Sequence, residues 1–302
     1  MSQHKIAIIG ANGMLASMLR ARVPESVDLH LFDLPDFDIT DAEQVNETLT
    51  LLNPEVVINC AAFTQVDACE TQCDIAFLVN SEGPRYLANT VKNIGAVLIH
   101  ISTDFVFSGT AIEPYNEDAT TGPLSVYGQS KFQGEQAIIS SGLTDYYIIR
   151  TSWLYGPNGP NFVETIIRLA AEREELSIVA DQWGTPTYTG DLSDIIWSLI
   201  SPVPSSSLSV TVPYGIYHYS NEGACTWYDF ACAIIERLRE DGVPMKVQQV
   251  KPITTDEYPV PAKRPAYSVM SKEKIIAATG VNIPLWQVSL KKYFVERCLD
   301  TD

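Results

Sequence analysis

The chain has 302 residues, 46% hydrophobic and 19% charged, with 20 Lys plus Arg against 37 Asp plus Glu for a net charge of −17. That length and balance suit one large or two unequal globular domains and exclude disordered and fibrous classes. So acidic a surface repels phosphate backbones and anionic lipids, which excludes nucleic acid and membrane as expected partners and requires any anionic ligand to find cations gathered locally.

Short β-branched runs at Lys5–Ile9, Asp28–Phe32, Val56–Asn59, Val97–Ser102 and Tyr146–Arg150 read as strands. Several are almost continuously apolar, as parallel strands covered on both faces are. Between them, helical periodicity marks Met14–Arg22, Ala42–Leu52, Ala76–Ile94 and Tyr127–Ile139. This alternation predicts an α/β fold, a Rossmann-type doubly wound parallel sheet. Beyond Thr151 the rhythm breaks at Pro- and Gly-rich turns, Gly156–Pro160 and Trp183–Pro186, and Pro202–Ser209 reads as a surface linker. The apolar stretch Ile6–Ile9 is too short for a secretory signal, and no run approaches the ~18 residues of a membrane span. Six cysteines at 60, 69, 73, 225, 232 and 298 form no CxxC pair and lack histidines at ligand spacing. Free thiols in a reducing compartment are expected, hence a cytoplasmic location.

The turn Gly10-Ala11-Asn12-Gly13-Met14-Leu15-Ala16 follows the first strand and opens the first helix. Glycines there allow a tight turn and let backbone approach a pyrophosphate lying on the positive end of the helix. Asp33 ends the second strand, twenty residues after Gly13, where a carboxylate can accept hydrogen bonds from ribose hydroxyls and repel a 2′-phosphate. The pattern points to a bound dinucleotide. Residues 1–170 are accordingly expected to form mainly the NAD(P)-binding domain and residues 171–302 mainly a smaller, discontinuous substrate lobe, part of 187–240 returning to the first domain.

After the fourth strand comes Ser102-Thr103-Asp104-Phe105, and a helix then opens with Tyr127-Gly128-Gln129-Ser130-Lys131. Positions i and i+4 share a helical face, so Tyr127 and Lys131 project together. A free phenol, with a pKa near ~10, exchanges protons poorly at neutrality. An ammonium at ~4 Å and an effective dielectric of ~20 contributes ~4 kcal/mol, which is expected to lower that pKa by about three units. Tyr127 then serves as proton donor, with Thr103 hydrogen-bonding the same substrate oxygen.

Over nearly its full length the chain resembles the dTDP-4-dehydrorhamnose reductase family. The likeness is carried by Gly10–Leu15, Asn59–Asp67, Ser102–Phe107, Tyr127–Lys131, Arg150–Trp153, Asp181–Thr187, Thr226–Asp229 and Pro261–Pro265. It implies reduction of the C4 ketone of a dTDP-4-keto-6-deoxyhexose with NADH or NADPH as cofactor. By the same resemblance Gly10, Gly13, Met14 and Leu15 line the dinucleotide, and Asp33, Asp38 and Ile39 approach its adenosine. Ala62, Phe63 and Thr64 run past the pyrophosphate, while Tyr127 and Lys131 serve both catalysis and cofactor binding. Thr103, Asp104 and Trp153 face the sugar nucleotide, and Lys263 and Arg264 supply cations for its diphosphate. Some members of the family hold magnesium with glutamates at a dimer contact. The corresponding positions here, Met18 and Gly190, carry no carboxylate, so no metal is expected, and a homodimer is left open. Two alternatives stand beside the reductase: another nucleotide-sugar reductase, epimerase or dehydratase of the same fold, and a non-catalytic regulatory subunit.

Overall fold

The structure, a computed structural model, describes residues 4–200 and 212–299; the expected linker at Pro202–Ser209 lies outside them. Strands β1 (His4–Ile9), β2 (Val27–Phe32), β3 (Val56–Asn59), β4 (Val97–Thr103) and β5 (Tyr146–Thr151) join a further strand, Gly215–His218, in one sheet. The sheet is parallel throughout, in the order β2-β1-β3-β4-β5 followed by Gly215–His218. Its strands alternate their burial. Ile6 and Ile8 face one hydrophobic cluster while Ala7 and Ile9 face another, because successive side chains point to opposite faces.

The first cluster is covered by α1 (Met14–Ala21), through Leu15 and Leu19, and by a later helix, Thr189–Ile200, through Leu192, Ile195 and Ile196. The second is covered by α2 (Ala42–Leu52), through Val45 and Leu49, and by the helical region that follows β3. That region departs from the expected single helix over Ala76–Ile94. Short helices α3 (Val66–Cys69) and α4 (Cys73–Phe77) lead into a π-helical turn, Leu78–Glu82, before α5 (Gly83–Ile94) begins with Pro84 in its first turn. Within the π turn Asn80 is fully buried, and its amide binds both the N–H and the carbonyl of Phe63. The widened turn thus ties the helix to the loop after β3.

Helix α6 (Val126–Ser140) starts at a Ser125 cap and carries Tyr127 and Lys131. It lies close on the segment after β4 because Gly128 has no side chain: a Cβ there would sit 2.3 Å from the Phe105 carbonyl oxygen. In the second half, α7 (Phe162–Glu172), Trp227–Glu240 and Trp286–Leu299 pack around their own cluster, which includes Tyr155, Ile166, Phe230 and Ile234. Short strand pairs, Glu175–Val179 with Gln249–Ile253 and Trp183–Gly184 with Cys225–Thr226, connect it. No helix among the described residues is long and apolar enough to cross a membrane.

Candidate active site

The strand order reverses between β1 and β3, and in such sheets a crevice opens at the carboxyl ends of the strands. Here it is a cavity of about 600 Å³ whose wall includes Gly13, Met14, Leu15, Ala62, Thr64 and Tyr127. Gly10 turns at φ +79°, and a Cβ on it would lie 2.5 Å from the Ala61 nitrogen, so only glycine lets the first turn pass this close to the end of β3. Gly13 caps α1 without a side-chain hydrogen bond. The first-turn N–H groups of α1 are thereby left for an anion.

Asp33 stands at the rim of this cradle, its carboxylate accepting from the Asn12 amide at 2.7 Å and the Leu34 amide at 2.8 Å. Three of the expected dinucleotide residues are directed elsewhere. The Asp38 carboxylate accepts from the backbone and hydroxyl of Thr40, and Ile39 is buried in the core against Gly83. Phe63 is partly buried and lines neither cavity of the cleft, its backbone held by Asn80.

Thr103, Asp104, Tyr127 and Lys131 converge on the same cavity, at the end of β4 and the start of α6. The Thr103 hydroxyl donates to Asp104 Oδ1 at 3.1 Å and accepts from the Phe105 amide at 3.2 Å. Burial raises the Asp104 carboxyl to about 6, with the Ser268 and Thr103 hydroxyls opposing the rise. The electrostatics of Tyr127 run against the sequence expectation. Burial and the neighbouring Asp104 push its phenol well above the ordinary value, and Lys131 is not what sets it. The Lys131 amine instead donates to the Ile101 carbonyl at 2.6 Å, and burial lowers its own pKa to about 8. The spacing brought the pair to one face, but β4 claims the lysine. Tyr127 consequently stays protonated across the neutral range, the form a proton donor needs.

Phe105 packs edge-on against Tyr127, ring centroids 5.5 Å apart, and joins this cavity to a second of about 360 Å³. Trp153 lines both and stacks on Trp227 at 3.5 Å, holding a strained backbone φ of +47°. Gly184 makes the room, since a Cβ there would meet the Trp153 ring at 2.5 Å. Arg264 also borders both cavities. Its guanidinium makes a bidentate pair with Asp67, at 3.0 and 2.9 Å, and holds that carboxyl below its ordinary range. Lys263, expected beside it, is exposed and lines neither cavity, because neighbouring residues of an extended loop point apart.

Four residues of the site had been given no role from sequence: Trp227, Ser268, His100 and Glu135. Glu135 carried a usable signal, lying four residues after Lys131 on the same helical face. It is fully buried, paired with Arg150 at 2.7 and 2.9 Å, and accepts from Ser102 at 2.5 Å. Part of the Thr226–Asp229 motif proves to be local: Thr226 and Asp229 form a capping box for the helix Trp227–Glu240.

A family model described as the RmlD substrate binding domain matches residues 4–298. A spore coat polysaccharide biosynthesis protein, SpsK, of Bacillus subtilis is 40% identical over 294 residues, covering 97% of this chain and 98% of the relative. A dTDP-4-dehydrorhamnose reductase of Streptomyces griseus is 39% identical over 292 residues, 96% of this chain and 93% of the relative. Among solved structures, a dTDP-4-dehydrorhamnose reductase from Bacillus anthracis in complex with NADP superposes with a TM-score of 0.88 at 40% identity, covering 97% and 99% of the two chains.

Proposed function

The chain belongs to the RmlD substrate binding domain family, and from that premise we propose that it reduces the C4 ketone of dTDP-4-dehydrorhamnose to dTDP-L-rhamnose, using NAD(P)H. The observation that carries this reading is the meeting of Thr103, Tyr127 and Lys131 with the uncapped start of α1 in one cavity. The adjoining cavity, apolar and bordered by Trp153 and Arg264, offers room for the rest of a nucleotide sugar. We further place the enzyme in the cytoplasm, in keeping with five free cysteines among the described residues.

The residues present fit a dinucleotide: Gly10 brings the turn against β3, and Gly13 leaves the first-turn amides of α1 open. Gly13, Met14, Leu15, Ala62 and Thr64 would hold it. When bound, the dinucleotide supplies the hydride. Tyr127, kept protonated by its surroundings, gives its proton to the ketone oxygen, and the Thr103 hydroxyl hydrogen-bonds that oxygen as charge develops. Phe105, packed on the tyrosine ring, keeps water from the reacting atoms. Trp153 offers a flat apolar platform for the sugar nucleotide, and Arg264 a planar cation for its diphosphate once released from Asp67.

Dehydration of a nucleotide sugar by the same fold requires both a base and an acid beside the strand-end threonine. Asp104 can serve as one; the next residue, Phe105, has neither lone pair nor proton. Incubation with dTDP-4-keto-6-deoxyglucose, a 3,5-epimerase and NADH or NADPH should consume the reduced cofactor in proportion to substrate, followed by absorbance. Dehydration of dTDP-glucose without net cofactor use would assign the protein to the other reaction class.

NADP bound to the Bacillus anthracis relative supports NADP(H) as a cofactor for this cradle, while Asp33 at its rim favours the unphosphorylated ribose. We expect Asp33→Ser to shift the kcat/KM ratio toward NADPH by about fivefold, the scale of one exposed charge contact of ~1 kcal/mol. An unchanged ratio would show that Asp33 serves only the Asn12 and Leu34 amides.

A further inference from the structure

A buried polar file runs behind Tyr127 and Lys131, and the reaction as read above makes no use of it. Asn59, ending β3, accepts the Ala61 N–H on Oδ1 at 3.1 Å, which leaves its amide nitrogen facing His100 Nδ1 at 3.0 Å. An amide nitrogen only donates, so Nδ1 must accept. His100 is fully buried on β4, and burial is the main influence holding its pKa below the ordinary value. The ring is therefore neutral, and its one proton sits on Nε2. Nε2 lies 3.4 Å from Lys131 Nζ. An ammonium there would set two donors face to face. A neutral amine can accept from Nε2–H and still donate to the Ile101 carbonyl.

We propose that His100 is a positioning residue for the lysine of this site: fixed by Asn59 as the Nε2–H tautomer, it presents a donor to Lys131 and so favours the neutral amine. This rests on Lys131 belonging to the reaction site as read above. Other groups around the amine act in both directions. Glu135, one turn along α6, and Cys60, after β3, favour the ammonium, while burial opposes it and is the largest influence. The Glu135 charge is itself matched by Arg150 from β5, and Ile101 presents a carbonyl that either form can use. Tyr127, on the same helix face, contributes a neutral phenol rather than a phenolate, since its own pKa is raised. With the acidic neighbour already paired, a donor at His100 Nε2 acts in the same direction as burial and suits the neutral amine. A lysine so held changes charge close to the working pH instead of far above it.

The test begins with the wild-type protein labelled with 15N-histidine, which has only four histidines to resolve. Long-range 1H–15N correlations, with His100→Gln to assign the signal, should show His100 as the neutral Nε2–H tautomer from about pH 5 to 9. An Nδ1–H tautomer or an imidazolium would overturn the proposal. Because this measurement needs neither substrate nor cofactor, it stands apart from any failure of the proposed reaction. The second arm is Asn59→Asp, whose carboxylate accepts from Nδ1–H and turns Nε2 into an acceptor for the ammonium. The alkaline limb of the pH–rate profile should then move upward by about one pH unit, together with the change of tautomer. A general loss of turnover with the limb unmoved, or a moved limb with the tautomer unchanged, would each count against the histidine. Should the variant not fold, the wild-type spectrum still decides.

Discussion

Tyr127→Phe is expected to lower kcat by ~10²-fold or more while leaving cofactor affinity nearly unchanged. The substitution removes one hydroxyl and keeps the ring that packs edge-on against Phe105, so the cavity wall survives. What disappears is the phenol proton that Tyr127 brings to the cavity it shares with Thr103. A measured KM close to wild type beside the fallen kcat would mark a group acting in the transition state rather than in binding. Near wild-type turnover would take Tyr127 out of the mechanism. The pH dependence carries a sign as well. Burial and Asp104 raise the phenol, so the donor form persists as pH rises through neutrality. The falling alkaline limb should instead follow Lys131, lowered by burial to about 8.

Arg150→Met is expected to destabilise the fold by about 3–5 kcal/mol, the scale of leaving one member of a buried ion pair unpaired. Glu135 is fully buried and Arg150 nearly so, and the guanidinium is bidentate on the carboxylate. Glu135 also accepts from Ser102, the neighbour of Thr103, so the pair joins α6, β4 and β5 directly beneath the reaction site. Denaturant unfolding of the single variant measures the loss. The double variant Arg150→Met with Glu135→Leu should recover at least half of it, because two apolar side chains leave no unpaired charge. A single variant within about 0.5 kcal/mol of wild type would show that the pair contributes nothing measurable.

What was legible in the sequence was whatever a local period or a backbone requirement dictates. Five strands and the helices between them appeared in the apolar rhythm, and each strand matches to within about a residue at either end, the ordinary uncertainty of element boundaries. The π turn at Leu78–Glu82 was not legible, and the contact it makes, Asn80 on the Phe63 backbone, spans seventeen residues of chain. Tyr127 and Lys131 were placed on one face by helical spacing alone. The charge state of each depends on what covers them, and here spacing misled. Burial raises the phenol, and the lysine is engaged by Ile101 and His100.

The sequence by itself determined five of the strands, the glycine turn at Gly10–Gly13 and the shared face of Tyr127 and Lys131, since each follows from neighbours within a few residues; the sixth strand, Gly215–His218, and the strand order came from tertiary pairing. Tertiary structure decided the rest of the site. It stacked Trp227 on Trp153 from 74 positions away, set Arg264 on Asp67 across 197, and left Lys263 in solvent. It also paired Arg150 with Glu135 and fixed the tautomer of His100 through Asn59. Those outcomes depend on which surfaces the packed elements bring within hydrogen-bond distance, and desolvation then settles the charges. Neither is a property of any short stretch of chain.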